Sequence, residues 1–193
     1  MNRRSRSART RAERQQERAA TEDAEVVMAA AAAFLAVRPR SVEETRRRLR
    51  FLGYRHGLVD EVIGRLLRMR YLDDDAFAQG WVESRDRARP RGESALRREL
   101  MTKGIARDRI DDVLLDRAAA ATEVSADTRA AERLLERRRS ALEREADPRR
   151  RRQKAYALLA RNGFDPEVCR DVAASVQGWS ADQSAGEEDL SPS

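Results

Sequence analysis

The chain has very little of several residue types, and each shortage excludes a class of protein. Its 193 residues include one cysteine, one histidine and only 5% aromatic residues. A single cysteine cannot form an internal disulfide bond, which is typical of proteins in a reducing compartment. No apolar run approaches the roughly 18 residues that are needed to span a bilayer. The sequence therefore predicts a soluble, cytoplasmic chain without a membrane segment.

Residues suited to catalysis or metal binding are equally scarce. Because His56 is the only histidine, the sequence supports neither a histidine-based triad with Cys169 nor a His/Cys metal site. It also lacks the glycine patterns of phosphate-binding and dinucleotide-binding loops. Asp73, Asp74 and Asp75 are consecutive acids, but helix capping explains them without a metal. We therefore expect no enzyme, and predict no catalytic, metal-binding or cofactor-binding residue.

Charge is what the chain has in quantity. Charged residues make up 38% of it, the formal net charge is +6, and all but two of its forty basic residues are arginine. A preference for arginine codons explains this as well as an affinity for phosphates or carboxylates does. Basic residues dominate the start of the chain, whereas the only charged residues in 178–193 are acidic. We predict disordered tails at both ends, a basic one over 1–21 and an acidic one over 178–193.

A repeated segment organises the rest of the chain. In each copy a proline breaks the preceding helix, a leucine stands four residues before a glycine, and the glycine ends a short helix in the left-handed conformation. The first two copies are offset by 51 residues, and the third has one extra residue. The copies are Pro39–Gly53, Pro90–Gly104 and Pro148–Gly163.

Apolar periodicity on both sides of this segment predicts further helices, and the repeat unit is then three helices. The fold class is predicted to be all-α, with three three-helix modules over 22–72, 73–121 and 122–177. We expect a helix over 22–37 with Thr21 as its N-cap, and one continuous helix over 127–146. Leu67, Phe77 and Trp81 are predicted to face the core.

Basic residues recur on the short helix of every module. For any single arginine, a solvated charged face is the simpler explanation. Recurrence in three modules favours a surface that binds a partner or phosphates, and the shared register of the first two modules predicts a continuous basic strip. The candidate residues are Arg46, Arg47, Arg50, Arg97, Arg98, Lys103, Arg150, Arg151 and Lys154.

Three stretches carry a resemblance to a known family. They are Arg70-Tyr71-Leu72-Asp73-Asp74 with Phe77, Ala78 and Arg85 after it, the run from Arg97 to Ile105, and Arg161-Asn162-Gly163-Phe164. In order and spacing they resemble the RecX family of RecA regulators over about residues 24–176. Arg70 is a departure, since the family usually has glycine there, and it affects the turn between two helices.

The resemblance implies three tandem three-helix modules in a curved, elongated array of helices. It also implies binding in the groove of a RecA–DNA filament, with damping of strand exchange, ATP hydrolysis and co-protease activity, and no catalysis by this chain. The main alternative is a helical-repeat protein that binds single- or double-stranded DNA directly and acts without RecA. A general helical scaffold is a weaker alternative. We expect a monomer.

Overall fold

The computed structural model describes residues 10–121 and 123–179. Within these ranges the chain forms helices and no strand, which confirms the predicted all-α fold. No helix in this part of the chain is long and apolar enough to cross a membrane. The helices are α1 (Arg11–Ala20), α2 (Ala24–Leu35), α3 (Val42–Leu52), α4 (His56–Arg68), α5 (Asp74–Ala88), α6 (Glu93–Thr102), α7 (Arg107–Ala119), α8 (Ala126–Glu136), α9 (Arg139–Glu143), α10 (Pro148–Arg161) and α11 (Pro166–Ser175), followed by a 3₁₀ turn (Val176–Gly178).

The described residues divide into two compact units. Unit 1 contains residues 10–79 and 100–109, and unit 2 contains residues 80–99, 110–121 and 123–179. Helices α5, α6 and α7 each have residues in both units. The three-module boundaries drawn from the repeat therefore stay a prediction, and the two units are described separately.

The repeat register is visible in backbone conformation and in burial. A positive φ is strained for any residue with a Cβ, so glycine suits these helix ends. All three repeat glycines have a positive φ: 102° at Gly53, 80° at Gly104 and 82° at Gly163. The leucines four residues earlier are all 0% exposed: Leu49, Leu100 and Leu159. The predicted spacing is therefore confirmed.

In unit 1, helices α2, α3 and α4 pack around one apolar cluster. Its buried members are Val27, Ala31, Leu49, Tyr54, Val59, Val62, Ile63, Leu66 and Leu72. The prediction that Leu67 faces inward is wrong, since this side chain is 42% exposed. One residue beyond Leu66 lies about 100° further round the helix, which turns Leu67 toward solvent.

Unit 2 has its own apolar cluster, to which α8, α9, α10 and α11 contribute. It includes Ala131, Leu134, Leu135, Leu142, Ala155, Leu159, Phe164, Cys169, Val172, Ala173 and Val176. Trp179 packs against this cluster. Residues 178 and 179, which the sequence assigns to the acidic tail, therefore belong to the fold. The rest of that predicted tail lies outside the described residues.

Two serine side chains cap the C-terminal ends of helices that lie later in the chain, α6 and α10. The Ser41 hydroxyl, at the start of α3, donates a hydrogen bond to the carbonyl oxygen of Lys103 at 2.6 Å. In the next copy, the Ser94 hydroxyl donates to the carbonyl oxygen of Gly163 at 2.7 Å. Carbonyls at a helix C-terminus have no partner within the helix, and these two serine hydroxyls each supply a donor to one of them.

The prediction of a disordered tail over 1–21 is wrong for residues 11–20, which form α1. The helix begins with a capping box, in which the Thr10 amide donates to Glu13 Oε2 at 2.7 Å and the Glu13 amide donates to Thr10 Oγ1 at 3.2 Å. An Arg18 guanidinium N–H also donates to the Leu52 carbonyl oxygen at 3.5 Å. Capping and this contact stabilise a helix that has no apolar stripe of its own. Residues 1–9 lie outside the described range.

Two further helix boundaries differ from the sequence predictions. Thr21 ends α1, where its amide donates to the Arg18 carbonyl, and Asp23 is the N-cap of α2. The helix predicted over 127–146 is divided between α8 and α9. At the break, Arg137 donates to the carbonyl oxygens of Arg87 and Ala88, at 2.6 and 2.7 Å. Because neither proline nor glycine marks this break, sequence periodicity could not reveal it.

Gly92, immediately before α6, tests how tightly unit 2 is packed. A Cβ on this residue would lie closer than 3.0 Å to the backbone atoms of Gly163 and Phe164. Gly92→Ala should therefore lower the free energy of unfolding by about 3 kcal/mol, because the backbone must move to make space. Urea denaturation would measure the change.

Gly80, in α5, provides the matched control. Apart from its chain neighbours and the nearby backbone of its own helix, a Cβ there would meet no heavy atom within 4 Å. Gly80→Ala should raise stability by about 0.5–1 kcal/mol, since glycine is unfavourable inside a helix. If the two alanine variants shift the denaturation midpoint equally, the close approach at Gly92 is not what limits that position.

Candidate partner-binding surface

Among the predicted basic residues, Arg46 on α3 is held between two acids. Its guanidinium lies 3.1 Å from Glu43, one turn earlier, and 3.1 Å from Asp60 on α4. Burial lowers the pKa of Arg46, but hydrogen bonds to the two carboxylates outweigh it and hold the pKa above its ordinary value. Arg46 therefore joins α3 to α4 and presents little unbalanced charge.

Arg97 on α6 repeats this arrangement 51 positions later. It forms ion pairs with Glu93 at 3.2 Å and with Asp111 on α7. The two side-chain hydrogen bonds raise the pKa of Arg97. Asp111 occupies the register position of Asp60, so the same arginine–aspartate pair fastens a short helix to the following helix in both copies.

The remaining candidates of unit 1 differ in exposure. Arg47 has a 54% exposed side chain, and its guanidinium donates to the Thr102 carbonyl oxygen at 3.1 Å. Arg50 lies 3.7 Å from Asp60. Lys103 is mostly buried, and its ammonium donates to Glu44 at 2.8 Å. Among the three, Arg47 is the most available to a partner.

On α10 the candidates separate into one buried residue and two exposed ones. Arg151 is only 6% exposed, because its guanidinium turns inward to donate to the backbone carbonyls of Glu145 and Trp179. Its assignment to a binding surface is therefore corrected. The side chains of Arg150 and Lys154 are 74% and 59% exposed.

The most exposed members of the predicted set are the ones suited to a partner: Arg47, Arg98, Arg150 and Lys154. Arg47 belongs to unit 1, and the other three belong to unit 2. The basic strip predicted to run through Arg46, Arg47, Arg97 and Arg98 stays a prediction.

The three consecutive aspartates each have a structural partner. Asp73 accepts two backbone N–H groups of the first turn of α5, both at 3.0 Å, and these hydrogen bonds lower its pKa. Asp74 accepts the Val42 amide at 2.9 Å, while burial raises the pKa of Asp74. Asp75 forms an ion pair with Arg109. In residues 10–121 and 123–179, no group of His, Cys, Asp and Glu is arranged to hold a metal ion.

Trp81 was predicted to lie in the core, but it is only partly buried. Its indole N–H donates to Glu99 at 2.9 Å, and the Arg85 guanidinium donates to the same carboxylate at 2.6 Å. The Arg85 guanidinium also lies 4.3 Å from the centre of the Trp81 ring. The indole N–H and the guanidinium both need polar partners, and Glu99 provides them. The Trp81 side chain therefore lies at the edge of the apolar core and not inside it.

Sequence reasoning missed the most buried charged network of unit 2, which is centred on Arg117 in α7. Its side chain is 9% exposed and donates to Asp86 at 2.9 and 3.0 Å and to Asp127 at 2.6 Å. Asp127 also accepts the Glu93 amide at 3.0 Å. Burial lowers the pKa of Arg117, but the two carboxylates outweigh it and raise that pKa. No sequence motif predicts this network, because Asp127 and Asp86 lie 10 and 31 positions from Arg117.

Glu44 makes the stability of unit 1 depend on pH. Burial acts to raise the pKa of Glu44, but hydrogen bonds from Lys103 and Arg38 hold it below the ordinary 4.5. A carboxyl with a lowered pKa stabilises the fold above its unfolded pKa, and this contribution is lost as the pH falls through the folded pKa.

We therefore expect Glu44→Gln to be less stable than the parent at neutral pH. The difference should shrink as the pH falls below about 4.5, because the parent then loses the same ionised group. Thermal melting from neutral pH down to about pH 3 measures both curves. A constant difference across that range would contradict the assignment to Glu44.

Comparison with known proteins identifies the family. The model described as "RecX, second three-helix domain" matches residues 73–114, and "RecX, third three-helix domain" matches residues 126–172. A protein named "Regulatory protein RecX" from Prosthecochloris aestuarii is 30% identical over 139 residues, which cover 72% of this chain and 85% of that relative. The chain belongs to the RecX family.

Other RecX proteins agree with this assignment. "Regulatory protein RecX" from Mycobacterium avium is 34% identical over 141 residues, which cover 72% of this chain and 77% of the relative. The crystal structure of RecX from Lactobacillus salivarius superposes with a TM-score of 0.66 at 19% identity, over 80% of this chain and 97% of the other. The fold is thus that of RecX, and the resemblance read from the repeat motifs is confirmed.

Proposed function

We propose that the chain binds the RecA–DNA filament and modulates, mainly by inhibition, the recombinase, ATPase and co-protease activities of RecA in DNA repair and the SOS response. The observation that carries this proposal is sequence similarity to chains named "Regulatory protein RecX" over 72% of the length. Because the similarity extends over most of the chain and is not confined to one motif, we expect this protein to have a role related to that of the RecX proteins.

The distribution of charge supports binding to an anionic assembly. Arg47, Arg98, Arg150 and Lys154 have exposed side chains, and a RecA–DNA filament contains DNA phosphates. Exposed cations attract an anionic partner and help to fix how the two molecules align. They raise the association rate and the specificity more than they raise the affinity. The proposal includes a monomer acting in the cytoplasm.

The direct test is the ATPase activity of RecA on single-stranded DNA, with and without this protein. We expect hydrolysis to fall as the protein is added. Unchanged hydrolysis, together with no retention of the protein on RecA-coated DNA, would overturn the proposal.

Charge reversal at exposed positions tests which surface acts. Arg98→Glu and Arg150→Glu should each raise the concentration needed for half-inhibition by several-fold, while changing stability by only about 0.5 kcal/mol. Arg97 is left intact, because an acid there would face Glu93 and Asp111. Arg68→Glu is the control, since it makes the same charge change at an exposed position outside the predicted set. Equal inhibition by all three variants would mean that neither Arg98 nor Arg150 contacts the filament.

A further inference from the structure

Two phenylalanines and three arginines form a group in unit 1 that the predicted surface does not include. Arg40 stacks on Phe34, with its guanidinium carbon 4.1 Å from the ring centre. The guanidinium carbon of Arg48 lies 5.9 Å from the centre of the Phe34 ring and 6.0 Å from that of Phe51. With Arg38, these residues are called the Arg–Phe patch: Phe34, Arg38, Arg40, Arg48 and Phe51.

The Arg–Phe patch has more positive than negative charge. Glu44 lies close to it, but this carboxylate is shared between Arg38 at 3.1 Å and Lys103 at 2.8 Å. In the described part of the chain, Arg48 forms no ion pair. The three arginines of α3 in the predicted set differ from Arg48, because Arg46, Arg47 and Arg50 each have an acid within 4.0 Å.

Arg40 is the member of the patch whose positive charge lies in the least favourable surroundings. Burial lowers the pKa of Arg40, and the charges of Arg38 and Arg48 lower it further against the opposing effect of Glu44. Its Nε is buried and has no hydrogen-bond partner among the residues that the structure describes. A buried donor without an acceptor is costly, and crowded like charges repel. An added anion would relieve the repulsion.

An exposed aromatic ring lies beside these charges. Phe51 is 59% exposed on α3, one turn from Arg48. Arginines bind phosphates through paired hydrogen bonds, and aromatic rings and guanidinium planes stack on nucleobases. In duplex DNA the base faces are covered by their neighbours, whereas a single strand offers phosphates and open base faces at short, regular intervals.

We infer that the Arg–Phe patch binds single-stranded nucleic acid, with phosphates on Arg40 and Arg48 and a base stacked on Phe51. This site needs no RecA, so it does not depend on the proposed function. Its expected signature has two separable parts, an electrostatic part at Arg48 and a stacking part at Phe51.

The test is fluorescence anisotropy of a labelled oligo(dT) of about 20 nucleotides, titrated with the full chain at several salt concentrations and without RecA. Phe51→Ala should weaken binding about 5- to 100-fold with an unchanged salt slope, which is the effect of losing one stacked base. Arg48→Gln should weaken binding and reduce the salt slope by about 0.7. Phe51→Trp should bind at least as well as the parent.

Arg55→Gln is the matched control, since Arg55 is an exposed arginine of unit 1 paired with Glu22 at 3.1 Å. It should keep the parent's affinity to within about twofold. Circular dichroism melting should be the same for all variants, because the altered side chains are exposed.

Several outcomes would overturn the inference. They are failure of the parent to bind oligo(dT), parent-like binding by both Phe51→Ala and Arg48→Gln, and duplex DNA competing as well as unlabelled oligo(dT). Displacement by poly-glutamate as effective as that by oligo(dT) would instead identify an acidic protein surface as the ligand. Each result is independent of whether RecA is inhibited.

Discussion

Replacing Arg117 by methionine should lower the free energy of unfolding of unit 2 by about 3–5 kcal/mol. Methionine keeps much of the side-chain length but removes the charge. Asp86 and Asp127 would then face each other with their common cation gone, although both are largely enclosed. Removing one partner of a buried ion pair costs more than the pair contributes, because the remaining charges stay desolvated.

Chemical denaturation of the parent and the variant measures this loss. Arg133→Met is the matched control, since Arg133 lies 3.9 Å from the same Asp86 but is 46% exposed. An exposed ion pair contributes about 0–1 kcal/mol, so this variant should melt close to the parent. Adding Asp86→Asn and Asp127→Asn to Arg117→Met should recover part of the lost stability. Equal effects of Arg117→Met and Arg133→Met would show that burial of the network does not matter.

Leu49→Ala should destabilise unit 1 by about 2–5 kcal/mol. Leu49 is 0% exposed in the cluster formed by α2, α3 and α4. Truncation removes buried methyl groups and leaves a cavity that the neighbouring helices can fill only in part.

The same substitution at Leu67 isolates the contribution of burial. Leu67 is 42% exposed on α4, so Leu67→Ala should cost less than about 1 kcal/mol. Urea denaturation followed by circular dichroism compares the two variants. If Leu49→Ala and Leu67→Ala lower the midpoint equally, the assignment of Leu49 to the core is wrong.

The parts of the fold that the sequence predicts correctly depend on short-range rules. Glycine adopts the positive φ that ends a helix without strain, and this preference is local to the residue. For this reason the sequence places Leu49 and Gly53 correctly. Capping is similarly local, and Thr10 with Glu13 has the spacing of a capping box that could have revealed α1. Residues 11–20 have no apolar stripe, however, so apolar periodicity does not predict a helix there.

The missed features depend on partners far along the chain. Asp74 accepts the Val42 amide across 32 positions, and Arg117 reaches Asp86 across 31. Neither pair has a fixed spacing or a characteristic motif. Among the basic residues, sequence alone could not distinguish the buried Arg151 from the exposed Arg150, because both lie in an uninterrupted run of arginines.

The serine contacts at the helix ends also set an order of events while the chain is being made. Ser41 must wait for Lys103, which is synthesised 62 residues later, and Ser94 must wait 69 residues for Gly163. At about 5–20 residues per second, each delay lasts roughly 3–14 seconds. In both units, therefore, the helix that begins next to the serine leaves the ribosome before the segment that carries the acceptor, and the serine contact forms only after that segment has emerged.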